Sequence, residues 1–279
     1  MIVEHDKDIS YLNMDQLKEQ MKAVDAEIFQ LKQFIHTFER DQLLKNRKLV
    51  LLVDLDQTIL HTSLDTSVGN AVGVLQYELG GGRSQRRYQT RLRPHANTFL
   101  RNMSQLFEMR VCTLGTREYA CKMTSLLDKD GHYFGGRIIS REDIDSTTSK
   151  RSVLSSQFSV GDNLMVIIDD QRKVWGSAPN LIDVKPYVFF GHSNKNHFND
   201  DDDYLIHLEG MLRNIHRDFY RVYDAAVLQP QGSIPHVKSF LPNTLQRPVK
   251  RLRNCDQQTH QITKRRTLDH VYFGRVGLV

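Results

Sequence analysis

Three apolar runs that each end in a polar or acidic residue constrain this chain most: KLVLLVD at 48–54, MRVCT at 109–113 and LMVIID at 164–169. A run of apolar residues without alternation suits a strand buried on both faces, as in a parallel sheet covered by helices. Helix-like stretches at 95–106, after Pro94, and at 118–127 fall between the runs. Strands therefore alternate with helices, and the pattern predicts a doubly wound α/β sheet with a parallel core. Ligands bind such open sheets beyond the carboxyl ends of the strands, which is where these runs carry their acidic residues.

Residues 62–92 interrupt the alternation, and with Gly80, Gly81 and Gly82 in succession they predict a small inserted hairpin or lid. A further strand is expected at 184–190, then the linker-like NKNHFNDDDD, then an amphipathic helix at 204–223. Ahead of the first strand, Met14, Leu17, Met21, Val24, Ile28, Leu31, Ile35 and Phe38 step alternately by three and four. That is a helix with a heptad stripe, which either pairs with a partner or a second copy as a coiled coil or docks on its own domain. The expected organisation is an N-terminal helix within 1–47, a main α/β domain over 48–228 and a basic, flexible tail over 229–279.

The 279 residues are 39% hydrophobic and 25% charged, which suits one main globular core and no fibrous or disordered class. No apolar run approaches a membrane span, and the first ten residues are polar and acidic where a signal peptide would be basic and then apolar. An intracellular, soluble protein with no membrane partner is the expectation. Cys112, Cys121 and Cys255 are too few and too scattered for a disulfide framework or a zinc site. The net charge of +5 gathers toward the C-terminus, in Lys250, Arg251, Arg253, Lys264, Arg265 and Arg266. Such a tail could touch nucleic acid or an acidic partner, or simply be solvated.

The strongest chemical signal is Asp54-Leu55-Asp56-Gln57-Thr58, directly after the first apolar run. Two carboxylates at i and i+2 leaving a strand can face one small site, hold a hard cation and divide nucleophile and acid roles. Thr113 ends the second run and the Asp169-Asp170 pair ends the third. Aspartates there could instead cap a following helical turn, but a strand end needs one cap, and four clustered carboxylates repel unless a cation sits among them. Cys112-Thr-Leu-Gly-Thr-Arg117 superficially suggests a thiolate phosphate loop. Only four residues separate its cysteine and arginine, and Cys112 falls inside an apolar run, so it is expected to be a core cysteine.

The sequence resembles the haloacid dehalogenase superfamily and, within it, the TFIIF-associating C-terminal-domain phosphatases. The resemblance rests on VDLDQTILHT (53–62), LRPH (92–95), CTLGTREYA (112–120), LLDKDGHYFGGRIISRED (126–143) and VIIDDQRKVWGSAPNLIDVKPYVFF (166–190). It implies a magnesium-dependent protein serine/threonine phosphatase, nuclear, acting through an aspartyl phosphate on the phosphorylated C-terminal tail of RNA polymerase II, with general transcription factors as further candidate partners. It makes 48–228 the catalytic domain, with Asp54 the nucleophile, Asp56 the acid and base, Thr113 a phosphoryl hydrogen-bond donor and Lys150 the neutralising cation. Magnesium would be held by Asp54, the Asp56 carbonyl and Asp170, with Asp169 in support. Thr58, Arg93, Arg141 and Trp175 would contact substrate. Arg93 and Arg141 could equally be structural ion pairs, and Trp175 ordinary packing rather than a peptide groove. The phosphopeptide-binding BRCT module usual in full-length relatives finds no room in the residues after Ser239. Two other readings use the same fold: a non-catalytic phosphopeptide- or chain-binding protein, and a small-molecule phosphatase.

Overall fold

The computed structural model of the protein describes residues 14–64, 72–144, 149–156, 162–190 and 201–242. A long helix, α1 (Met14–Lys45), leads into β1 (Leu49–Val53). Three strands follow, β2 (Leu60–Ser63), β3 (Val74–Leu79) and β4 (Arg86–Leu92), then α2 (Ala96–Leu106), β5 (Phe107–Cys112) and α3 (Arg117–Leu127). The rest comprises β6 (Ile138–Ile139), α4 (Arg151–Ser156), β7 (Met165–Asp169), α5 (Arg172–Trp175), β8 (Leu181–Asp183) and α6 (Tyr204–Val227).

The main sheet has the order β6-β5-β1-β7-β8 and is parallel throughout. All three apolar runs are strands of it, with β1 at the centre between β5 and β7. Every residue of β1 and β7 is buried, as a strand covered on both faces must be. Phe99, Leu100 and Met103 of α2 and Leu205, Leu208, Leu212, Ile215 and Phe219 of α6 are the buried faces of two amphipathic helices in the same core. The expected α/β architecture with an N-terminal helix is therefore the one adopted.

Three details depart from expectation. The insert is a separate three-stranded antiparallel sheet, β2-β4-β3, not a single hairpin. The last strand of the main sheet is Leu181–Asp183, earlier than 184–190, because the ladder with β7 ends at Asp169↔Asp183. After α6 the chain does not simply trail away: a 3-10 turn at Val237–Phe240 buries Val237 and Leu241 in the core.

The basic residues at 250–266 lie outside the described residues. No helix among the described residues is long and apolar enough to cross a membrane.

Among the described residues, helix α1 is rooted only at its last turns. Leu43 and Leu44 are buried in the core, and the Tyr220 hydroxyl donates to the Lys48 carbonyl at 2.9 Å. Arg47 pairs with Asp224 at 2.9 Å. The stripe itself does not dock: Leu17, Met21, Val24, Ile28, Leu31, Ile35 and Phe38 are 40% to 66% exposed.

Candidate active site

The carboxyl ends of β1, β5 and β7 bring Asp54, Thr113, Asp169 and Asp170 together, because neighbouring parallel strands end at the same edge. Lys150, just ahead of α4, reaches into this edge. Its ammonium donates to Asp54 Oδ1 at 2.5 Å, to Asp169 Oδ2 at 2.6 Å and to the Cys112 carbonyl at 2.9 Å. Lys150, Asp54 and Asp169 are all buried, so the pairs act in a medium that screens them little. Burial alone would lower the Lys150 pKa, but Asp169 and Asp54 hold it well above the usual lysine value.

Asp169 is saturated with donors: besides Lys150 it accepts from the Trp175 indole N–H at 2.8 Å and the Gln171 backbone N–H at 2.7 Å. Asp170 stands in contrast, for its buried Oδ1 has no hydrogen-bond partner among the described residues. One oxygen from each of Asp54, Asp169 and Asp170 lies within 4.8 Å of the others. Three carboxylates here face one ammonium, and burial followed by the Asp169 charge raises Asp54 and pushes Asp170 up to about 7. An orphaned carboxylate oxygen in an oxygen-only, under-neutralised cluster fits a hard divalent cation. The donors already on Asp169 leave Asp54 and Asp170 with the greater capacity to ligate it.

Asp56 is close enough to this cluster for its charge to act on Asp170 and for Lys150 to act on it. The Tyr119 hydroxyl, from the first turn of α3, donates to Asp56 Oδ1 at 2.6 Å. A relay of hydroxyls continues through Thr62 (2.8 Å), Thr90 (2.7 Å) and Tyr77 (2.7 Å) into the inserted sheet. Burial raises Asp56 to about 6 despite the Tyr119 bond, which favours its ionised form. Asp56, Thr62, Ser63, Thr116, Tyr119 and Arg141 line a cleft of about 160 Å³ between the sheet edge and the insert. Gly115 shapes its floor: a Cβ there would meet the Tyr119 ring at 2.5 Å, so a side chain would displace the phenol from Asp56.

The expected substrate-contacting residues divide. Arg141 lines the cleft. Arg93 does not reach it: its guanidinium is sealed in, bonded to Asp202 at 3.2 and 3.1 Å and to the carbonyls of Thr58 at 3.1 Å and Lys185 at 3.0 Å. It is a structural ion pair, and Asp202 belongs to the stretch that reads as a linker. Trp175 forms no groove, since it is fully buried with its N–H spent on Asp169. Thr58 is also sealed, its hydroxyl buried and without a partner among the described residues. Cys112 is a core residue, with burial pushing its thiol up to about 12.

Sequence reasoning missed Tyr119, although it lies within the CTLGTREYA stretch. The available signal was an aromatic residue one helical turn after Thr116, whose side chain caps α3 by accepting from the Tyr119 N–H at 3.2 Å.

A parallel, doubly wound sheet with an aspartate directly after its central strand, a second at i+2, and an acidic pair on the neighbouring strand tied to the first aspartate by a lysine is a haloacid dehalogenase-like fold. A family model described as NLI interacting factor-like phosphatase matches residues 49–223, and the chain belongs to that family. It is 41% identical over 208 residues to a Caenorhabditis elegans phosphatase of the RNA polymerase II C-terminal domain, covering 68% of this chain and 31% of that protein. The human protein of the same name is 42% identical over 154 residues, covering 54% of this chain and 16% of the relative. The chain thus spans less than a third of the length of either relative. Among solved structures, the fission yeast RNA polymerase II CTD phosphatase Fcp1 bound to beryllium fluoride matches with TM-score 0.67 and 26% identity, covering 75% of this chain and 74% of the other.

Proposed function

We propose that this chain is a nuclear, magnesium-dependent protein serine/threonine phosphatase that acts through an aspartyl phosphate on Asp54 and takes the phosphorylated C-terminal domain of RNA polymerase II as substrate. The observation that carries the reading is Lys150 bridging Asp54 and Asp169 beside the unpartnered oxygen of Asp170. The names of the two animal relatives support the choice of substrate.

Asp54 attacks phosphorus in line while the seryl or threonyl oxygen departs, and Asp56 delivers the proton that the leaving oxygen needs. A carboxyl raised to about 6 carries that proton in a useful fraction of molecules near neutrality. The same Asp56 then takes a proton from the water that hydrolyses the Asp54 phosphate. Lys150 stabilises the charge that Asp54 and the phosphoryl oxygens share, with Thr113 as a hydroxyl donor beside it. Arg141, at the cleft wall, is the remaining candidate for contact with the phosphopeptide. Asp54, Asp170 and the Asp56 carbonyl would hold magnesium, which supplies further charge neutralisation at the phosphoryl group when bound.

The test is phosphate release from singly phosphorylated heptad-repeat peptides with and without magnesium, for the intact chain and for Asp54→Asn. Magnesium-dependent release is expected, falling on the order of 10⁴-fold in Asp54→Asn. Undiminished turnover by Asp54→Asn, or in excess chelator, would overturn the reading.

A further inference from the structure

The stripe on α1 has no counterpart among the described residues, and its pattern specifies what covers it. From Met14 to Phe38 the steps of three and four run without a break, which assigns Met14, Met21, Ile28 and Ile35 to heptad position a and Leu17, Val24, Leu31 and Phe38 to d. Those 25 positions make about 37 Å of helix at 1.5 Å per residue. Every residue from Gln16 to Ile35 is exposed. The helix nevertheless continues unbroken into Leu43 and Leu44, which are buried in the domain, so the stripe is held out on a rooted stem. Most helical stability in proteins comes from packing an apolar face, and no face among the described residues supplies it here.

We infer that α1 pairs with α1 of a second copy as a parallel, two-stranded coiled coil. Isoleucine at a with leucine at d favours two parallel strands, and the middle of the stripe, Ile28, Leu31 and Ile35, has that composition. The flanking charges select the direction. In a parallel pair each g position faces the e position five residues on in the partner, which matches Glu27 with Lys32, twice by symmetry. Gln20 then faces Asp25 and Phe34 faces Glu39, so no like charges meet. An antiparallel pair centred on the stripe, near residue 26, sets g against g and e against e. That brings Glu27 to Glu27, Asp25 to Asp25 and Lys18 to Lys32, which repel. Glu27 and Lys32 are both exposed, and neither has an ion-pair partner among the described residues. The stripe is thus self-complementary in charge as well as apolar, which points to a second copy of this chain rather than a different protein.

The experiment is sedimentation of the intact chain over a dilution series, with charge variants. The expected mass is twice the 32.4 kDa of one chain. Glu27→Lys turns two attractive contacts repulsive and should weaken the dimer roughly tenfold, as should Lys32→Glu, whereas the double exchange restores it. Ile28→Lys removes two facing core side chains and should weaken association roughly a hundredfold or more. Circular dichroism and turnover of the monomeric variants, with the rest of the chain folded, separate lost pairing from lost folding. A monomer at every concentration would overturn the proposal and leave the stripe to a different protein. A dimer indifferent to Glu27→Lys, or one not rescued by the double exchange, would overturn the parallel register.

Discussion

The central strand β1 and the N-terminal helix α1 are both strongly patterned apolar segments, yet their fates are opposite. Leu49 through Val53 are at most 1% exposed, whereas the stripe residues Leu17, Met21, Val24, Ile28, Leu31, Ile35 and Phe38 are 40% or more exposed. The strand has neighbours on both edges and every residue buried; among the described residues, the helix touches its domain only near Leu43 and Leu44. Periodicity therefore states which face of a segment wants burial, and the partners available decide whether it is buried. The functional groups follow the same division: the acidic cluster lies at the end of the fully packed strand, where low exposure makes each charge expensive and each partner consequential.

The sharpest way to break this comparison is to disturb the packed end. Lys150→Met leaves Asp54 and Asp169 buried without their shared ammonium. A loss of about 3–5 kcal/mol is expected, read as a fall in turnover of several hundredfold together with a lowered melting temperature. A Lys150→Met protein with unchanged stability and turnover would show that the cluster does not depend on the bridge.

Arg93→Met probes a second buried pair, away from the cleft. It leaves Asp202 and the carbonyls of Thr58 and Lys185 unsatisfied, and should cost up to about 3–5 kcal/mol in denaturant unfolding. Because Arg93 does not face the cleft, the molecules that remain folded should keep most of their turnover per site. A normal melting curve with lost turnover would return Arg93 to substrate binding.

Tyr119→Phe should act more gently and on the chemistry alone. Removing the hydroxyl takes a donor from the ionised form of Asp56, so the Asp56 pKa rises above about 6 and the alkaline fall of the pH–rate profile moves to higher pH. Turnover should drop about tenfold, in keeping with one hydrogen bond to a charged group. An unmoved profile would separate Tyr119 from the acid.

The smallest effect is expected at the other pole of the comparison. A chain without the first 38 residues keeps Leu43, Leu44 and every cluster residue. Its turnover on short phosphopeptides, per site, should stay within about twofold, the scale of surface changes away from packed features. A collapse of activity in a folded, shortened protein would mean that α1 supports the cleft after all.

Much of this was legible in the sequence because it depends on neighbours along the chain. The apolar runs at 49–53 and 164–169 declare buried parallel strands by lacking alternation, and the aspartates after them fall at the sheet edge for the same reason. The heptad step from Met14 to Phe38 likewise declares a helix and its apolar face. What the sequence could not declare was the pairing of groups far apart in it. Lys150 lies 96 residues from Asp54, a pairing that only the family resemblance implied, and Arg93 lies 109 from Asp202, a pairing that nothing in the sequence implied. Thr58 reads as a substrate contact, and Trp175 as either a substrate contact or ordinary packing, until the fold turns both inward, and Tyr119 reads as an ordinary helical aromatic until α3 sets its hydroxyl against Asp56. Local pattern determines which segments form and which faces want burial, because backbone geometry repeats every two or 3.6 residues. Tertiary structure alone decides which side chains meet, because crossover connections bring strand ends together at distances that no local period encodes.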